Sequence, residues 1–415
     1  MDPDALALLV VQQYLSENSF DGALELLEKQ SGLFYVGSKL AEGSVLMQMV
    51  YKKQEEEAAA ACSEGDADRE ARLAAEEALL HGTADYPVTR AGCLEDRHEA
   101  AITAVLAWPG RDALLTGQGN GVVQLLLYER PDDTTGWTTR LGGGGVLSLA
   151  LHEGDSPGRA RLLAASMDGG VALLDARTGE LLASVRAHTR YCVRVRWLPG
   201  GAGFLSAGRE GALACWACAP GGEAGAGAEA VQQTAAEPYA MAVQDVELLA
   251  GGGTAVVALR DTCRLRLYGV REAAEVGQVN LNPMGDEHVG FVATQLALSP
   301  DGTMLAVSTD GPRILVLRVA GWEQVRNICG LTVEPFHQAT ALWHSSGYHL
   351  MAAAAAGQVF VFHVGSGKVV AKVKAQPQKN VRAMDYDTGR NLLVTAGFDR
   401  TVNVFMQHSA AVKFI

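Results

Sequence analysis

The stretch HTRYCVRVRWLPGGAGFLSAGREGALACW, residues 188–216, decides how the whole chain is read. His188 opens it, and Val193, Val195 and Trp197 then alternate with their neighbours as a strand with one buried face would. Pro199-Gly200-Gly201 turns the chain, residues 204–207 form a second strand, and Arg209-Glu210-Gly211 leads into a third that ends at Trp216. That is three antiparallel strands in close succession.

With Glu210 taken as the turn position and Trp216 as the apolar residue six further on, the same register recurs at Asn120, Asp168, Glu210, Asp261, Asp310, Ala356 and Asp399. The successive spacings are 48, 42, 51, 49, 46 and 43 residues. Six residues beyond each turn stands Leu126, Leu174, Trp216, Leu267, Val316, Phe362 or Phe405. A period in the forties with about four strands per unit marks units that cannot bury their faces singly and must stack radially. Seven such units close a ring.

The pattern resembles that of the WD40 family: a histidine before the first strand, Ser or Thr in the second, Asp in the turn and Trp in the third. Blade 3 supplies His188, Ser206 and Trp216, with Glu210 for the Asp; blade 7 keeps Thr395 and Asp399 but has Phe405 for Trp and no histidine. No unit ends in Trp-Asp, the nearest pair being Leu174-Asp175. The resemblance implies an all-β, seven-bladed WD40-type propeller over residues 86–415. It also implies that His188 bonds Ser206 and Glu210 as part of the fold, and that the strand near residues 86–94 completes blade 7, residues 410–415 being the other source of a fourth strand.

Composition sets the outer limits. The chain has 415 residues, more than a propeller of about 300 needs, so a separate N-terminal part is expected. A net charge of −13 argues against a nucleic-acid surface, which requires concentrated Lys and Arg. No apolar run is long enough to span a membrane, and Asp2 and Asp4 stand where a signal peptide needs basic residues. Seven scattered cysteines fit a reducing compartment. The expectation is a cytoplasmic chain, the nucleus being the alternative, with proteins as partners and no cofactor.

In the N-terminal part, Leu6, Leu9, Val10 and Tyr14, then Phe20, Ala23, Leu24 and Leu27, recur at threes and fours and predict two helices broken near residues 16–19. LALLVVQQYLSENSFDGALELLEKQSG resembles the LisH motif, a helical dimerisation device; about 30 residues cannot enclose a core alone. This reading makes residues 1–37 a dimerisation motif, with Leu6, Leu9, Tyr14, Phe20, Leu24 and Leu27 as an exposed stripe. The alternative is an amphipathic hairpin that docks on the propeller. Residues 38–85 read as a helical, charged linker. Two loops exceed the need of a ring: residues 217–237, Gly/Ala-rich and read as a mobile excursion, and residues 280–290, which are polar.

Candidate chemistry is thin. Cys215 and Cys218 have half a zinc spacing, yet strand alternation sends them to opposite faces. Asp286-Glu287-His288 reads as a solvated loop, and Gly365-Ser366-Gly367-Lys368 and residues 142–145 as turns lacking the helix a phosphate loop needs. No Ser, His and acid set stands out, so no catalytic, metal or cofactor residue is assigned. An enzyme with its site at the ring's axis is the rival reading, recognisable by a deep polar pocket with perturbed carboxylates. Leu174-Asp175-Ala176-Arg177 resembles the Trp-Asp-x-Arg box of substrate receptors of cullin-based ubiquitin ligases, which makes Asp175 and Arg177 adaptor contacts; the same string is also a good tight turn. Partner contacts are expected beside the turns and before the first strands, on one face: Tyr191, Arg209, Met167, Arg260, Phe291, Asp310, Asn380 and Phe398.

Overall fold

The computed structural model describes residues 3–17, 20–34, 52, 85–95, 97–127, 136–154, 160–219, 230–282, 291–332, 340–376 and 379–407. The chain divides into two compact units, residues 1–78 and 79–415.

In the first unit α1 (Pro3–Glu17) and α2 (Asp21–Ser31) occupy the stretches that the helical spacing predicts. Gly32, in the left-handed conformation, ends α2 by donating its N–H to the Glu28 carbonyl. Gln12 Nε2 donates to the Leu33 carbonyl across 2.7 Å, fastening α1 to the end of α2. The stripe is not uniformly exposed. Leu9 is buried, Tyr14, Leu24 and Leu27 are half-buried, and Phe20 is 51% exposed. Leu9 therefore leaves the set of exposed contacts, whereas Leu26 and Phe34, which no spacing singled out, stand open. The Leu6 side chain lies outside the described residues, as does the 38–85 linker apart from Lys52 and Asp85.

The second unit is a ring of seven four-stranded antiparallel sheets. Its innermost strands are Ile102–Ala107, Val146–Glu153, Cys192–Trp197, Val243–Leu248, Ala293–Leu298, Ala341–Trp343 and Val381–Asp387. Each packs on the next, and the last packs on the first. All seven turn positions fall between second and third strands, and all seven apolar residues six further on lie in third strands. At Gly211 the φ is +97°, and an added Cβ would come within 2.4 Å of the Tyr239 carbonyl, so this turn needs glycine.

Residues Thr89–Leu94 form the outer strand of blade 7, paired antiparallel with Val402–Met406 from Thr89↔Met406 to Leu94↔Val402. The ring is thus closed by joining its two ends. One expectation needs correction: Ala230–Pro238 is not excursion but the fourth strand of blade 3, and the third strand runs on to Ala219. An outer strand packs little, so small side chains suffice there. Cys215 and Cys218 are buried in separate clusters on the two faces of that sheet.

Junctions between blades are tied at the inner strands by side chains bonding the neighbour's backbone or side chains. Val195 N donates to Ser148 Oγ, Leu296 N to Asp245 Oδ2, Ala341 N to Gln295 Oε1 and Ala107 N to Asp385 Oδ2. Between blades 3 and 4, Arg194 holds Asp245 with two nitrogens and Arg196 holds Glu247. Such ties matter because a buried donor left unpaired costs about 1–3 kcal/mol.

Candidate functional site

Six of the inner strands carry a β-bulge at their second residue. A bulge inserts one unpaired residue and re-aims its side chain. Here the bulged residues are Thr103, Leu147, Val193, Gln244, Thr294 and Arg382, and with Thr340 of blade 6 they line an axial cavity of about 360 Å³. Its mouth opens on the face of the turns. Arg209 donates its N–H to the Tyr191 carbonyl (2.8 Å) and its Nη1 to Gln244 Oε1 (2.6 Å). Tyr191, 47% exposed, and Met167 complete the rim.

Met167, Arg209, Arg260 and Asp310 are equivalent: each donates its backbone N–H to the residue before a first strand, at Gly145, Tyr191, Ala242 and Val292. Only Met167 and Arg209 of these reach the cavity. Arg260 is exposed beside Asp261, the exposed Asp310 also accepts the Val292 N–H, and Phe398 is 52% exposed. Asn380 Oδ1 accepts the Gly357 N–H. Phe291 is corrected: it is 7% exposed, packed among Leu281, Ala293 and Leu315 with the Arg313 guanidinium 4.1 Å above its ring, so it belongs to blade packing. Residues 283–290, with Asp286, Glu287 and His288, lie outside the described residues.

Blade 3 contains a relay. Glu210 accepts from His188 Nδ1 at 2.7 Å; the remaining ring nitrogen of a neutral histidine is then an acceptor, 2.8 Å from the Ser206 hydroxyl, and Trp216 Nε1 donates to the same oxygen at 2.9 Å. Burial depresses the His188 pKa against the opposing pull of Glu210. Two related positions escaped the register. His98 bonds Thr116 in blade 1 with the 18-residue separation of His188 and Ser206, and burial pushes its pKa down to about 4. In blade 7 Gln376 stands in for the missing histidine, bonding Thr395, Thr401 and Asn403.

The far end of the axis opens on a second cavity of about 270 Å³ bordered by Arg196, Glu247 and Asp385. Burial raises the Asp385 pKa to about 6. A perturbed carboxylate at the axis is the mark set for an enzyme, yet this one accepts backbone N–H groups from Ala107 and Tyr386 and so binds blade 7 to blade 1. Among the described residues no three His, Cys, Asp or Glu side chains converge as a metal site. No helix among them is long and apolar enough to cross a membrane. Asp175 Oδ1 accepts from the Arg177 and Thr178 N–H groups, closing a tight turn, with the Arg177 side chain exposed.

Fold and site together define a seven-bladed β-propeller with a rimmed axial mouth. Residues 367–405, from the outer strand of blade 6 through the three strands of blade 7 supplied by the chain's end, match the WD domain, G-beta repeat family. The matched repeat is thus offset by one strand from the structural blade. No curated protein matches the chain.

Proposed function

We propose that this protein is a non-enzymatic scaffold that binds protein partners on the turn-bearing face of its propeller and dimerises through α1 and α2. The observation that carries the first part is the Tyr191–Arg209 pair at the axial mouth. An exposed aromatic ring and a guanidinium are held there by a backbone bond, while the blade core beneath is filled without them. Tyr and Arg bury large area at modest entropy cost, which makes them common anchors of interfaces. Propellers with WD repeats generally bind proteins. Substituting Tyr191→Ala and Arg209→Ala together is expected to remove at least one partner recovered by affinity purification, with the melting temperature shifted by less than about 2 °C. A large loss of stability without loss of any partner would assign the pair to the fold.

Support for dimerisation is the exposure of Phe20 and Leu26 beside the half-buried Leu24 and Leu27 on two short helices, α1 and α2, which cannot enclose a core by themselves. Light scattering on the full chain is expected to give twice the protomer mass, and Phe20→Asp with Leu27→Asp is expected to halve it. A wild-type chain of single mass would overturn this part of the reading and leave the first standing.

A further inference from the structure

The axial cavity contains cations without counterions. Arg382 lines it from blade 7 and Arg209 from blade 3. Arg194, the third guanidinium there, is neutralised by the bidentate Asp245. Among the described residues Arg382 has neither an ion-pair nor a hydrogen-bond partner, and Arg209 bonds only the neutral Gln244 side chain. Burial and the like charge of Arg194 hold the Arg382 pKa below the usual arginine range.

Half-buried in the cavity wall and beside the like charge of Arg194, the Arg382 guanidinium carries a cost that an anion in the cavity would relieve. The cost is the more pointed in a chain whose net charge is −13, where acidic partners are plentiful elsewhere. The bulge at Arg382 is what keeps its side chain on the axis instead of between sheets. Neutral donors surround the same space. Gln244 uses its carbonyl oxygen on Arg209, which leaves its amide nitrogen to donate, and Thr340 brings a hydroxyl.

We propose that the axial cavity is a binding site for a small phosphorylated compound, its phosphoryl group seated between Arg382 and Arg209 with Gln244 and Thr340 as neutral hydrogen-bond donors. Two uncompensated positive charges match the charge of about −1.5 to −2 on a phosphoryl group at neutral pH, where a single carboxylate supplies half as much. A volume of about 360 Å³ is at the small end for ligand pockets and admits a phosphate ester of a sugar-sized body. The site does not depend on the scaffold reading, because it needs no protein at the mouth.

The test is calorimetric titration of the full-length chain with inorganic pyrophosphate, glucose 6-phosphate, citrate and a phosphoserine hexapeptide, paired with thermal melts. Saturable binding of pyrophosphate or glucose 6-phosphate with one site per chain is expected, raising the melting temperature by about 3–6 °C at ligand well above its dissociation constant. Arg382→Gln should weaken it at least about ten-fold while leaving the ligand-free protein as stable as, or more stable than, the wild type. Arg382→Lys should retain part of the binding. A merely structural arginine would instead lower the ligand-free melting temperature on substitution. No saturable phosphate binding, an unaffected Arg382→Gln variant, citrate binding as tightly as the phosphates, or binding of the phosphopeptide alone would each overturn the proposal. Tyr191→Ala should leave pyrophosphate affinity within about two-fold, which keeps this result separate from any loss of protein partners.

Discussion

A chain beginning at residue 97 is expected to lose about 5 kcal/mol or more of stability relative to one beginning at residue 85, and to melt with reduced cooperativity. The 12 residues between them contain the strand Thr89–Leu94, the outer strand of blade 7. Its removal strips the ladder from Val402–Met406, where each net hydrogen bond contributes about 0.5–1.5 kcal/mol. It also uncovers apolar surface on both sides of the blade. Leu94 packs with Ile102, Leu114 and Val394 on the side toward blade 1, and Tyr86 and Val88 lie against the cluster of Met384, Leu393 and Phe405 shared with blade 6. Full burial of a leucine alone is worth about 1.5–3 kcal/mol. Because the pairing joins residues some 300 apart in sequence, its loss frees the two ends of the ring, and opening of blade 7 becomes a local event. Guanidinium titration followed by circular dichroism measures this. Equal midpoints for the two chains would mean that blade 7 finds its fourth strand elsewhere, residues 410–415 being the other source.

The second large effect is expected at Asp245. Its side chain is wholly buried and makes four bonds: Arg194 through Nε and Nη2, the latter at 3.0 Å, Val246 N at 2.8 Å and Leu296 N at 2.9 Å. One carboxylate therefore ties blade 4 to blades 3 and 5. Asp245→Ala leaves two backbone donors unpaired and Arg194 without its counterion, and removing one partner of a buried ion pair typically costs about 3–5 kcal/mol. Asp245→Asn should cost less, since the amide oxygen still accepts a backbone bond. The double change Arg194→Met with Asp245→Leu should recover the part of the loss that comes from Arg194's stranded charge, because an apolar pair avoids the desolvation of two charges, while the Val246 and Leu296 N–H groups stay unpaired. Urea denaturation of the three variants decides it. A loss below about 1 kcal/mol for Asp245→Ala would show that water or a neighbouring group replaces the carboxylate.

The sequence carried the fold because a propeller repeats itself. The turn position held by Glu210 and an apolar residue six further on, Trp216 in blade 3, recur at seven places, and each unit lacks the surface to stand alone, so number and order of blades follow from local pattern. Blade 3 was legible down to individual bonds, His188 meeting Ser206 and Glu210 as the resemblance to the WD40 family implies, with Trp216 joining at the same hydroxyl. His98 was within reach too, since its distance to Thr116 repeats that of His188 to Ser206. Gln376 was not, because a glutamine doing a histidine's work has no signature of its own.

The candidate site divides along the same line. That Tyr191 and Arg209 share a face follows from where turns and strand starts must lie in any blade, which is local geometry. That Phe291 turns inward under Arg313 depends on how blades 4 and 5 meet. The axis is the clearest case. Strict alternation sends successive residues of a strand to opposite faces, and on that rule Gln244 and Arg382 give no sign of facing the centre. The bulges break alternation by one residue near the start of the inner strands and turn those side chains inward. A bulge costs a ladder bond and is retained where packing around the closed ring requires the extra curvature. Sequence by itself therefore determined the blades, their turns and the face that carries Tyr191 and Arg209. Only ring closure, which brings seven distant strand starts around one axis, decided that Arg382 and Arg209 would stand around the same cavity.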